Sequence, residues 1–146
     1  PDRHVSTAVS ADWVLPVDGP PIEGGVVRYE DGRIVEVGPG RAERHFDDAA
    51  IVPGFVNAHA HVDKSWWGQP WVSYGGQPTT QGRIAHERAE RDKYGIPSPR
   101  GAKAVLREFL RHGTTATRTH VDVDLGVGLR GIAGGQVVVR DGELQV

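Results

Sequence analysis

The sequence predicts an α/β protein in two parts, a small β-sandwich and a parallel β/α unit. Two observations carry that expectation. Short apolar stretches separated by Gly, Pro and Asp-Gly turns occupy residues 5–38 and return near the C-terminus, the pattern of a sandwich. Between them, a strand entered at residues 51–57, an amphipathic helix over 99–112 and a β-branched stretch over 114–123 make a βαβ unit, which implies parallel pairing and a right-handed crossover.

Taken in order, residues 5–17 read as a strand with Trp13, Val14 and Leu15 apolar, ending at Pro16. Residues 24–38 read as a hairpin: Asp31-Gly32 supplies the positive-φ turn, and Ile34, Val35 and Val37 continue the return strand. His45, Asp47 and Asp48 lie in a polar approach to the next strand and read as solvated. That next strand opens with Pro53-Gly54-Phe55-Val56-Asn57 and ends in a His-x-His pair, His59 and His61, with Asp63 two residues on. Successive strand side chains alternate, so His59, His61 and Asp63 would share one face and Ala58, Ala60 and Val62 the other. Two imidazoles one pleat apart can both reach a single ion at about 2.0–2.1 Å. A bare His-x-His is explained equally well by two hydrogen-bonded histidines on a half-buried strand; the Pro-Gly-Phe-Val-Asn lead-in and the trailing Asp63 favour the ion.

Residues 65–98 form a long stretch rich in Gly, Pro and aromatics, with Trp66, Trp67, Trp71 and Tyr74. Loops of this length tend to be functional. The tryptophans line a substrate mouth or pack beneath the loop, and both readings stay open. Within it, the highly charged residues 79–93 predict a short exposed helix with His86 solvated. Residues 99–112 give the best helix: Ser98 is placed to cap it, Pro99 sits in the first turn, and Gly113 closes it. Ala102, Val105, Leu106, Phe109 and Leu110 make its apolar stripe. On the strand that follows, His120 and Asp122 share a face near the C-terminal end, either as filled, hydrogen-bonded positions or beside a site. Residues 125–131 look like the start of another helix. Residues 136–144 repeat the pattern of 26–34, with the same Asp-Gly turn, and read as another sandwich hairpin.

With 146 residues the chain can bury one real core. Its 38% apolar and 25% charged content is that of a globular protein, and a net charge of −2 with the signs interspersed suggests neither a nucleic-acid nor a membrane surface. No apolar run approaches the roughly 20 residues of a membrane span and no signal peptide opens the chain, so the cytoplasm is the expected compartment. Without cysteine there are no disulfides or thiolate ligands, and a metal site must use His and carboxylate. The absence of methionine, at position 1 included, suggests a chain that is not an intact translation product.

Pro53-Gly54-Phe55-Val56-Asn57-Ala58-His59-Ala60-His61 resembles the strand-1 signature of the metal-dependent amidohydrolase superfamily. Val62-Asp63-Lys64-Ser65-Trp66-Trp67-Gly68 and Arg118-Thr119-His120-Val121-Asp122-Val123 resemble its cytosine deaminase branch. The resemblance implies a TIM-barrel-type hydrolase with a flanking small β-sandwich. Residues 1–52 plus 132–146 would form the sandwich, and 53–131 the start of the (β/α)8 barrel, of which only part is present. It implies hydrolysis of non-peptide C–N bonds, as in deamination of a cytosine-like or other nitrogen-ring amine by a metal-activated water. One divalent ion, zinc or iron(II), would be held by His59 and His61, with Asp63, Trp66, Trp67, His120 and Asp122 around it or lining the substrate pocket. The expected partner is a small nitrogen heterocycle or similar amine.

Three protein ligands plus water are the usual catalytic minimum, and a proton shuttle is needed as well. The family draws these from later barrel strands, and no residue after 123 fits them; Lys64 is not the bridging lysine of two-metal relatives. Three accounts follow: the ends of a longer enzyme, a non-catalytic remnant serving as a binding module, or assembly in trans. The bare edge and apolar face of a remnant would favour a homo-oligomer.

Overall fold

The computed structural model describes residues 7–73, 75–135, 138–140 and 143–145. The chain divides into two units, Pro1–Pro53 and Gly54–Val146.

The first unit is one mixed sheet. Its strands are β1 (Thr7–Val14), β2 (Ile22–Glu30), β3 (Arg33–Pro39) and β4 (Arg44–Ile51), in the order β3-β2-β1-β4. The Asp-Gly hairpin forms as the sequence predicts: β2 and β3 run antiparallel, with Asp31 at φ 48° and Gly32 at φ 74° in the turn. β1 pairs antiparallel with β2 but parallel with β4. To reach that far edge, the chain crosses β2 at Gly40, whose N–H donates to the Gly24 carbonyl at 2.8 Å. A Cβ at Gly40 would stand 3.0 Å from Val26 Cγ1, and φ is +153°, so glycine suits the crossing. The buried residues are Ser10, Ala11, Val14, Gly25, Val26 and Val27. Among the described residues this unit is a single four-stranded sheet, with β4 extending its edge beside β1.

The second unit begins with β5 (Phe55–Ala60), which passes into a 3-10 turn (Val62–Lys64). α1 (Thr80–Glu90) and α2 (Pro99–Arg111) follow, then β6 (Thr114–Thr119), α3 (Arg130–Gly135), β7 (Val138–Arg140) and β8 (Glu143–Gln145). β5 and β6 pair in parallel across the helices, as a βαβ unit requires. α2 is capped by the Ser98 hydroxyl, which accepts from Gly101 N–H at 3.1 Å. The helix packs on the 3-10 turn, β6 and α3, with Ala102 fully buried and the rest of the stripe half-buried. The helix at 79–93 is shorter than its charge pattern, spanning Thr80–Glu90, and no residue of it is buried. Thr79 caps it, accepting from Gly82 N–H at 3.0 Å. β6 stops at Thr119, earlier than the β-branched stretch suggests, and the helix expected at 125–131 starts only at Arg130 after a run of turns. β7 and β8 pair antiparallel with each other, while the Asp141-Gly142 turn falls outside the described residues.

Charge fastens the excursion between β5 and β6. Arg91, nearly buried, forks onto Asp124 with Nη1–Oδ1 3.2 Å and Nη2–Oδ2 3.1 Å, and Arg88 Nε reaches Asp124 Oδ2 at 3.1 Å. The hydrogen bond from Arg91, then the backbone N–H of Val127, hold the Asp124 carboxyl well below the usual carboxylate range against the opposing effect of burial. A carboxyl depressed on folding stabilises above its unfolded value and loses that contribution as pH falls toward its folded one. Denaturation midpoints should therefore decline as pH drops below about 3.9. Asp124→Asn should start lower at neutral pH and decline less steeply; parallel curves for the two proteins would refute this assignment.

Candidate metal centre

The side chains predicted to bear chemistry gather where β5 and β6 end. His120 N–H donates to the Ala60 carbonyl at 2.8 Å, and Val62 N–H donates to the Thr119 hydroxyl at 3.2 Å. These bonds stitch the two strand ends and set their histidines side by side. The ring centroids of His59 and His61 are 5.3 Å apart; His120 lies 4.6 Å from His59 and 5.5 Å from His61. Rings that share one ion at about 2.0–2.1 Å through nitrogen have centroids about 5 Å apart. Burial, then the neighbouring His59, Arg118 and His61, pull His120 below its ordinary pKa, so its ring is neutral at neutral pH.

Asp63 departs from the expected face. β5 ends at Ala60 and His61 turns the chain at φ −130°, ψ 77°, so strand alternation does not carry to residue 63. The Asp63 carboxylate is instead 1% exposed, its Oδ2 accepting from Asp122 N–H at 3.1 Å and its Oδ1 buried without a partner. A Cβ on Gly131 would sit 2.8 Å from Val121 Cγ1 and 3.3 Å from Asp63 Oδ2, so α3 approaches this carboxylate closely at a glycine.

Asp122 bridges toward the pair. Its Oδ2 lies 3.0 Å from Lys64 Nζ and its Oδ1 3.8 Å from His61 Nδ1, and Lys64 also reaches Glu87 Oε2 at 3.2 Å. Burial would lower the Lys64 ammonium, but the hydrogen bond it donates to Asp122 and the charges of Glu87 and Asp122 outweigh it and hold the pKa above its ordinary value. The tryptophans separate. Trp66 stacks on Tyr94 at 4.3 Å between centroids, Trp67 is 55% exposed beside a cleft lined by Ser65, Ser98 and Arg100, and Trp71 is 86% exposed. Tyr74 lies outside the described residues.

The first unit holds a group whose burial the sequence does not reveal. His45 is not solvated: its side chain is 8% exposed, with Nδ1 2.9 Å from Ser10 Oγ and Nε2 between Asp12 Oδ1 at 3.3 Å and Asp47 Oδ1 at 3.4 Å. Ser10 Oγ also accepts from Ala42 N–H, and Asp12 Oδ2 accepts from Asp48 N–H. Asp12, His45 and Asp47 could together face one cation. The alternation of β1 and β4 places Ser10 and Asp12 near His45, but only knowledge of the parallel β1–β4 pairing would reveal it.

No family model matches the chain, and no curated protein matches it. Solved structures do. An N-isopropylammelide isopropylaminohydrolase from Burkholderia multivorans is 32% identical over 88% of this chain and 33% of its own, at a TM-score of 0.64. The chain resembles the amidohydrolase-superfamily deaminases. An aminofutalosine deaminase from Helicobacter pylori, solved with methylthio-coformycin, matches at 18% identity, 77% and 29% coverage and a TM-score of 0.61. An adenosine deaminase from Xanthomonas campestris, solved with zinc bound, matches at 23%, 77% and 28%, and 0.59. These two share the fold. The chain spans about a third of the length of these amidohydrolase structures. Among the described residues, no helix is long and apolar enough to cross a membrane.

Proposed function

We propose that the protein is a metal-dependent hydrolase of non-peptide C–N bonds, a deaminase of a nitrogen-ring amine, in which His59 and His61 are two ligands of one zinc or iron(II) ion. The observation that supports this most is the approach of the His59 and His61 rings to 5.3 Å at the strand end. Two features of the residues suit an ion there: the ring spacing, and a set of imidazole donors, His59 and His61 with His120 beside them, of the kind that zinc and iron(II) accept. The Asp12, His45 and Asp47 group is the weaker claimant, because both nitrogens of His45 already face partners.

When bound, the ion would supply a water acidic enough to act as nucleophile at neutral pH and would polarise the carbon under attack. The chain's own residues would hold and shape the site. His59 and His61 bind, the neutral His120 stands beside them able to hydrogen-bond a ring nitrogen, and Trp67 offers an exposed flat face to a heterocycle. We place residues 53–131 as the start of the barrel, with the remaining ligands and the proton shuttle on later strands. The proposal is tested by ammonia release from a panel of aminopurines, aminopyrimidines and aminotriazines, before and after chelation, with a polypeptide that carries this chain together with the later strands. Turnover that chelator abolishes and zinc restores is expected; chelator-resistant turnover would overturn it.

A further inference from the structure

We infer that Asp122 is a positioning residue for His61. It fixes which ring nitrogen carries the proton and so leaves the other free for an ion, and Lys64 holds Asp122 in place for that task. This rests on the ligand assignment of His61 given above and extends it to a residue with no ligand role of its own.

His61 Nδ1 is buried and has no hydrogen-bond partner, although its side chain as a whole is 36% exposed. A buried ring nitrogen without a partner is costly and calls for one. The acceptor that faces it is Asp122 Oδ1 at 3.8 Å, about 1 Å beyond a hydrogen bond. An approach of about 1 Å between the two side chains makes the hydrogen bond. The other Asp122 oxygen cannot compete for the ring, because Lys64 Nζ holds it at 3.0 Å. Lys64 is itself held by Glu87 at 3.2 and 3.4 Å, and the Asp122 backbone is pinned by Asp63 Oδ2 at 3.1 Å. The carboxylate is thus fixed from two directions, with one oxygen turned to the imidazole.

The consequence is chemical. With Nδ1–H donating to Asp122, the lone pair of the neutral ring lies on Nε2, the nitrogen left for an ion. A carboxylate behind a ligating histidine fixes tautomer and ring orientation and raises ligand basicity; its loss typically costs about 10–100-fold in metal affinity.

The test uses nitrogen-15 spectra of the histidine rings in the metal-free protein, together with zinc titration of wild type, Asp122→Asn, Lys64→Met and a surface control, Arg107→Gln. In the wild type, His61 is expected as the Nδ1–H tautomer. In Asp122→Asn the population should shift toward Nε2–H and zinc affinity should fall by about 10–100-fold. Lys64→Met should move both readouts the same way by less, and the control should move neither. A His61 tautomer that is Nε2–H in the wild type, or that Asp122→Asn leaves unchanged, would overturn the inference. Should wild type take up no zinc at His59 and His61, the metal assignment falls, while the tautomer spectra still decide the role of Asp122.

Discussion

Replacing either His59 or His61 by alanine is expected to strip the protein of its metal and its turnover together. In the proposed site each imidazole would give one nitrogen to a shared ion, and the two rings stand 5.3 Å apart. Loss of a residue behind a ligand costs about 10–100-fold in affinity, so loss of a ligand itself should exceed 100-fold. Metal content after dialysis and the rate of ammonia release are the two readouts, and they should fall in parallel. The paired control is Asp12→Ala with His45→Ala, which empties the other cation-facing group. That variant should keep its metal and its turnover. If it loses them while the His59 and His61 variants retain both, the metal centre lies in the first sheet and the assignment is wrong.

A second large effect is expected from adding one methyl group at Gly54. A Cβ there would lie 2.1 Å from Thr115 Oγ1, 2.5 Å from its Cγ2 and 2.8 Å from its Cβ. The last of these atoms is fixed to the β6 backbone and cannot swing away. Gly54→Ala must therefore push the start of β5 from β6, where Phe55 pairs with Thr114 and Phe55 N–H donates to the Gly113 carbonyl at 2.8 Å. Overpacking of this kind costs about 1–3 kcal/mol. Urea denaturation should show that loss, and Thr115→Ala in the same chain should recover part of it by removing the two nearer atoms. Gly54→Ala with wild-type stability would mean that the strands do not meet this closely. The glycine of the Pro-Gly lead-in thus has a packing role of its own, separate from the histidines it precedes.

What the sequence discloses here is mostly local. The Asp31-Gly32 turn, the Ser98 cap and the apolar stripe of α2 are written within a few residues, and each forms as expected. The parallel β5–β6 pair follows from the helix between them. Alternation also suggests that His59 and His61 point the same way, and their rings do meet. It fails at Asp63 because nothing in Val62-Asp63-Lys64 marks the point where β5 gives way to a 3-10 turn. Other features depend on pairings between distant residues. Lys64 finds Glu87 and Asp122, 23 and 58 positions away, and His45 finds Ser10 only through the parallel β1–β4 register. Periodicity cannot announce such partners, since each residue taken alone reads as a polar surface position.

The helix α1 buries none of its side chains, yet Glu87, Arg88 and the following Arg91 tie its base to Lys64 and Asp124. A helix held through ion pairs, with none of its side chains buried, suits a surface attachment that can be exchanged. Its tip can be lengthened, shortened or recomposed while those anchors stay, leaving the strands beneath undisturbed. The chemistry at the strand ends and the shape of whatever overhangs them can then vary independently, which lets one framework be refitted to new molecules without being rebuilt.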